Sequence, residues 1–220
     1  MRVFKRVKRG IIITMKRLNN FKFKEFDIFK KLDTPSKIQD FIDDIEINFE
    51  KNGETCRSPL MVLKHNEAHC LEGALLASAI FWYHGKPPLL LDLVTTPNDD
   101  YHTVALFKES GKWGAISKTN HAYLRYRDPV FKNVRELAMS YFNEYFLDSG
   151  QKTLRSYSGS FDLTEFGEDW LVEKDDLWSI AEALDNSKHY KILTAKQIRR
   201  LRLADPVEIK ANKLVQWKKE

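Results

Sequence analysis

Cysteine is scarce in this chain: Cys56 and Cys70 are the only two in 220 residues. So few thiols exclude the disulfide framework on which small secreted domains depend, and they suit a reducing compartment. There is no paired-cysteine zinc ribbon, no Gly-rich phosphate loop and no RNA-binding signature, so neither a nucleotide enzyme nor a nucleic-acid partner is the first expectation. Long apolar runs are missing as well. Ala74 to Tyr83 and Leu89 to Val94 fall well short of the roughly 20 residues that a bilayer demands, which predicts no membrane span. The run Ile11 to Ile13 behind the basic start is too short for the apolar region of a secretory signal. The resulting expectation is a cytoplasmic protein without repeats or low-complexity tracts.

What is present is ordinary for a folded domain, with 43% hydrophobic and 30% charged residues, enough to bury one core. The net charge of +5 is uneven. Residues 1–31 carry eleven Lys or Arg against Glu25 and Asp27, a net +9, which leaves −4 on the rest. The division expected is a basic, solvated arm over 1–31, a core over 32–150 and an extension over 151–220 packed on that core.

Helix signals punctuate the first half. Thr34-Pro35 is a cap followed by a first-turn proline, and the apolar stripe Ile38, Phe41, Ile42, Ile45, Phe49 predicts a helix ended by Asn52-Gly53. Ser58-Pro59 repeats the signal and predicts a shorter helix up to His65-Asn66-Glu67. From Cys70 to Tyr83 the residues are apolar almost all round, with Gly73, Ala74, Ala77, Ser78 and Ala79 among them, as in a central buried helix.

Gly85-Lys86-Pro87-Pro88 stops that helix, and Leu89 to Val94 reads as a strand buried on both faces. His102 to Phe107 and Trp113 to Ser117 form a predicted hairpin about Glu109-Ser110-Gly111-Lys112. Val134, Leu137, Ala138, Tyr141, Phe142 and Tyr145 mark an amphipathic helix that packs on the sheet. Residues 151–169 read as irregular, and Asp175 to Leu184 and Lys196 to Arg202 as helical. The fold class expected is α+β, a buried helix on an antiparallel sheet.

A thiol becomes a nucleophile as its thiolate, which a helix start stabilises and a neighbouring imidazole generates. Cys70 is placed for the first role and His102, opening a strand, for the second. A third group must hold the imidazole tautomer. With Ser110 and Gly111 as the turn residues, position 102 faces Thr119, and a one-residue shift brings Ser117 there. Ser117, Thr119 and Asn120 are therefore the candidates.

The motifs His69-Cys70-Leu71-Glu72-Gly73-Ala74, Tyr101-His102-Thr103-Val104-Ala105 and Gly111-Lys112-Trp113-Gly114-Ala115-Ile116, in that order, resemble the transglutaminase-like superfamily over about Thr55 to Tyr123. The resemblance implies a papain-like core in which Cys70 and His102 act on a peptide or amide substrate as a hydrolase or acyltransferase, without a cofactor. Where the family commonly has an aspartate after its histidine, this chain has Ser117; Asn120 is the alternative orienting group. Asn66, His69 and Trp113 are candidates for binding substrate or its oxyanion.

His65 and His69, with Cys70 and His102, would make a zinc set only on one unbroken helix. The order His-Asn-Glu-Ala-His is not the zincin pattern, so no metal is expected. Cys56 reads as structural. Tyr123, Arg125, Tyr126 and Arg127 read as a charge-protected strand edge, and Asp92 needs a polar partner. Two rival readings are an idle binding module on the same fold and a nucleic-acid-associated protein that uses the basic arm.

Overall fold

The structure, a computed structural model, describes residues 19–218. The first part of the basic arm and the Ile11 to Ile13 run lie outside the described residues. From Phe21 onward the arm is packed rather than solvated. A 3-10 helix over Lys24–Lys31 buries Phe26 and Phe29, and the Phe21 ring meets Tyr83 edge-on at 5.3 Å. The aromatic residues outweigh the lysines between them, which keep their charges outside.

Helix α1 (Pro35–Asp44) starts at the Thr34 cap but stops well before Asn52-Gly53. Ile45 turns extended, and β1 (Glu46–Ile47) pairs in parallel with β2 (Glu67–Ala68). The carbonyls that α1 leaves open at its end are taken by Lys118, whose Nζ donates to Ile42 (3.0 Å) and to Ile45. A buried cation thus terminates a helix that its own periodicity would have continued.

Helix α2 (Pro59–His65) is capped by Ser58 and ends at Asn66, a left-handed residue. That break separates His65 from His69, so the two never share a helix face. Helix α3 (Cys70–Tyr83) then runs through the core with Glu72 to Phe81 all buried. Gly73 is needed there, since a Cβ would lie 2.4 Å from the Cβ of Lys118.

The main sheet follows, with β3 (Leu89–Val94), β4 (His102–Glu109), β5 (Lys112–Ile116) and β6 (Arg127–Phe131). Ser110 and Gly111 both have positive φ and close the β4–β5 hairpin with the twist that two-residue loops need. Helix α4 (Val134–Ser140) follows, shorter than its stripe suggests, and a 3-10 turn over Phe142–Glu144 continues it. Residues 151–169 are less irregular than expected. They supply β7 (Ser156–Ser158) and β8 (Phe161–Asp162), and beyond α5 (Trp178–Asp185) comes β9 (His189–Lys191). The strand order is β6-β5-β4-β3-β7-β9, with β8 also on β3 and every pairing in this sheet antiparallel. The last 70 residues therefore add strands to the sheet, and their Trp170, Leu171, Leu177, Ile180 and Leu184 pack into the core. Helices α6 (Ala195–Ile198) and α7 (Pro206–Asn212) close the chain.

Alternation along the strands divides two apolar layers. Leu90, Ala105, Phe107 and Ile116 meet α3 and the N-terminal helices, whereas Leu91, Leu93, Val104, Leu106 and Ala115 meet α4 and Tyr145. This is an α+β fold with helices on both faces of an antiparallel sheet. Among the described residues no helix is long and apolar enough to cross a membrane.

Candidate functional site

Cys70 is the first residue of α3 and half-buried. Its sulfur sits where the first-turn N–H groups lack helical acceptors and the helix dipole is positive. His69 is the cap. Its Nδ1 lies 3.3 Å from the Leu71 nitrogen, its Nε2 lies 2.8 Å from the Thr55 carbonyl, and its backbone N–H donates to Glu72 (3.0 Å).

Glu72 is fully buried. Such a carboxylate is tolerated only when its lone pairs are satisfied, and the Asn48 amide (3.1 Å), the Thr55 hydroxyl (2.8 Å) and the Arg57 N–H (3.0 Å) also donate to it. It is a fixed negative charge beneath His69. The spacing His69-x-x-Glu72, that of a capping box, was the available sequence signal for this role.

His102 opens β4 and is 5% exposed. Its Nε2 lies 2.8 Å from the Ser117 hydroxyl, which itself donates to the Leu124 carbonyl. The serine has spent its proton, so it must accept, and His102 must donate. The proton is thereby assigned to Nε2, and Nδ1 is left as the basic nitrogen. The hairpin register, with Ala105 opposite Ile116, faces position 102 with Thr119, yet the partner is Ser117, two residues along on the same side. Diagonal neighbours at that offset are within reach of a long side chain.

Ser117 lies one residue beyond β5, where the ladder no longer serves its backbone. Gln39 of α1 replaces the ladder. Its amide donates to the Ser117 carbonyl (2.8 Å) and accepts from the Ser117 N–H (3.0 Å). No local pattern announces a clamp between residues 78 apart.

The electrostatics favour a charged pair. Burial pushes the Cys70 thiol up, but hydrogen bonds and positive charge from His102 and His69 outweigh it and hold the thiol well below its ordinary value. Burial lowers His69, yet its hydrogen bond to Cys70, the thiolate charge, Glu72 and the Thr55 carbonyl raise it to about 9. His69 is then a cation at neutral pH, beside the Cys70 sulfur. Cys56, by contrast, is fully buried and pushed up to about 12, first by burial and then by Glu72 and Asp176.

Other expectations are corrected. The Asn120 amide donates to the Trp217 carbonyl (2.9 Å) and accepts from the Trp217 N–H (2.7 Å), so it fastens the C-terminal segment and leaves His102 to Ser117. Thr119 accepts from the His121 N–H. Trp113 stands four residues before Ser117, about 13 Å along the strand at 3.3 Å per residue, with Lys108 over its ring. Asn66 is exposed and serves as the end of α2, its carbonyl accepting from Glu46. His69 caps α3 and lowers the Cys70 thiol through its hydrogen bond and charge.

The Arg127 of the aromatic-basic cluster opens the edge strand β6 and is half-buried. It pairs with Glu144 at 2.6 Å and lies 4.0 Å over the Tyr141 ring. The Asp92 carboxyl has its polar partner in His189 (3.1 Å), and its backbone N–H donates to the Ser158 hydroxyl. A cavity of about 420 Å³ lined by Asn48, Glu50, Thr55, Arg57, Glu67 and Trp217 meets the thiol site at Thr55, the carbonyl beside His69. Taken together, the geometry unites Cys70, His69, His102 and Ser117, and it can generate a thiolate beside a proton-accepting imidazole. The sequence matches no protein-family model, and no curated protein matches it.

Proposed function

We propose that this chain is a thiol-dependent acyl-transfer enzyme of the transglutaminase-like, papain-like kind, cleaving an amide bond with water as the favoured acceptor. The observation that carries the reading is the assigned tautomer of His102, with Nε2–H on Ser117 and Nδ1 left for the Cys70 proton. Support also comes from the order of elements, a cysteine at a buried helix start followed by a histidine-bearing strand and a tight hairpin.

In the first half-reaction the Cys70 thiolate, whose proton is held on His102 Nδ1, attacks the carbonyl carbon. Collapse of the tetrahedral adduct breaks the C–N bond, and the Nδ1 proton goes to the leaving amine. The product is a thioester. Water, deprotonated by the same Nδ1, then attacks it, and Cys70 leaves as the thiolate. The cationic His69 above buried Glu72 stabilises the sulfur's charge without exchanging protons in either half.

Ser117 is a neutral acceptor where a carboxylate is common, so it holds the tautomer without adding charge. The test is the pH profile of iodoacetamide alkylation at Cys70, followed by peptide mass spectrometry. Rapid labelling near pH 6 that collapses in His102→Ala, weakens in Ser117→Ala and is unchanged in Asn120→Ala is expected. Labelling that follows an ordinary thiol and ignores His102→Ala would mean an idle cysteine on a binding module.

A further inference from the structure

Among the described residues the Tyr145 hydroxyl is one of five buried side-chain polar atoms without a hydrogen-bond partner, and the thiol mechanism does not use it. Tyr145 follows the 3-10 turn after α4 and is 3% exposed. Its ring belongs to the apolar layer containing Leu93, which stands opposite His102 in the β3–β4 register, and Val104, two residues along β4 on the same side. Its Oη is buried without a hydrogen-bond partner. The neighbouring Tyr141, in the same layer, shows the usual solution, since its hydroxyl donates to the Arg125 carbonyl.

A buried hydroxyl left unpaired costs about 1–3 kcal/mol, so a fold that keeps one has a use for it or receives its partner later. Burial first, and then the charges of Cys70, Asp92 and Asp99, hold Tyr145 well above the ordinary range of a phenol. It is therefore a protonated donor at any working pH, and it lies within the field of the Cys70 sulfur without being bonded to it. What is missing is an acceptor, and the reaction at Cys70 creates one.

We propose that Tyr145 is a catalytic residue that donates its hydroxyl proton as a hydrogen bond to the oxyanion formed when the Cys70 sulfur adds to an acyl carbon, alongside the free N–H of Cys70. This rests on the acyl-transfer reading above. In the step, the S–C bond forms and the carbonyl π pair moves onto oxygen, where Tyr145 Oη–H meets it. On collapse that pair returns to the C=O bond as the leaving group departs, and the proton stays on Tyr145 throughout.

Two probes of Cys70 separate this role from others. Iodoacetamide reacts by displacement at a saturated carbon and forms no oxyanion, whereas p-nitrophenyl acetate acylates the thiol through a tetrahedral adduct and releases nitrophenolate. Tyr145→Phe removes only a group without a partner, so a melting temperature equal to or above that of the wild type is expected. The proposal predicts that the variant is alkylated at the wild-type rate with the wild-type pH profile, while its nitrophenolate burst slows by about 100-fold, as for the loss of one oxyanion donor. A burst unchanged in Tyr145→Phe would overturn the assignment and leave the acyl-transfer reading intact. Equal slowing of both reactions would also overturn it, because Tyr145 would then act on the thiol. A wild type with neither fast alkylation nor a burst would remove the acyl-transfer reading itself.

Discussion

Gln39 offers the sharpest test of how α1 supports the site. It is 6% exposed and serves both backbone groups of Ser117, at 2.8 and 3.0 Å. Gln39→Leu keeps most of the volume and deletes both bonds, so a buried N–H and a buried C=O lose their partners together. At about 1–3 kcal/mol for each orphaned group the loss is about 2–6 kcal/mol. For a chain of this size that corresponds to a fall in melting temperature of about 5–20 °C. Differential scanning calorimetry measures it directly, and the alkylation profile of Cys70 gives the second readout, since a displaced Ser117 frees the His102 ring. Gln39→Glu keeps an acceptor for the N–H but sets a buried carboxylate oxygen against the Ser117 carbonyl and the Asp43 carboxylate, so a loss at least as large is expected. A Leu variant that melts within about 2 °C of the wild type, on the same scale, would refute the reasoning and mean that solvent or a shifted loop serves Ser117.

Three further outcomes follow from the packing around the site. Gly73→Ala sets a Cβ 2.4 Å from the Cβ of Lys118. The overpacking cost of about 1–3 kcal/mol exceeds the roughly 1 kcal/mol gained in helix propensity, so denaturant titration should show a net loss, and a stabilised variant would contradict the close approach. Burial lowers Lys118 from 10.5 to about 8. The unfolded chain therefore holds that proton when the native one has lost it, and stability should rise by up to about 3 kcal/mol from pH 8 to 10.5. Lys118→Met should flatten the rise in urea titrations across that window; a slope that persists would place the proton elsewhere. Asp92 moves oppositely, raised by burial from 3.8 to about 6. The native state holds its proton in that window, so stability should decline as pH increases from about 4 to 6, and Asp92→Asn should remove the decline in melting curves.

What the sequence made legible and what it hid divide along physical lines. Local signals carried far. Thr34-Pro35 and Ser58-Pro59 set two helix starts through caps that depend on neighbours alone, and Ser110-Gly111 fixed a hairpin because both positions need positive φ. Cys70 and His102 were legible for the same reason, since a helix start and a strand start are local properties. The third member was not, because register assigned Thr119 as the facing residue while the ring took its diagonal neighbour. Choosing Ser117 required the Leu124 carbonyl, which consumes the serine's proton, and the Gln39 clamp, which comes from another helix. Asn120 had the right chemistry, but the C-terminal segment claimed both ends of its amide. The early end of α1 has a similar cause, a lysine some seventy residues away that takes the Ile42 and Ile45 carbonyls. Tyr145 read as one more residue in an apolar stripe, because periodicity reports which face is buried but not whether the buried hydroxyl has a partner. The sequence thus yields the candidate pair Cys70 and His102, whereas the groups that hold the His102 ring and neighbour the thiol come from distant segments that only the fold brings together.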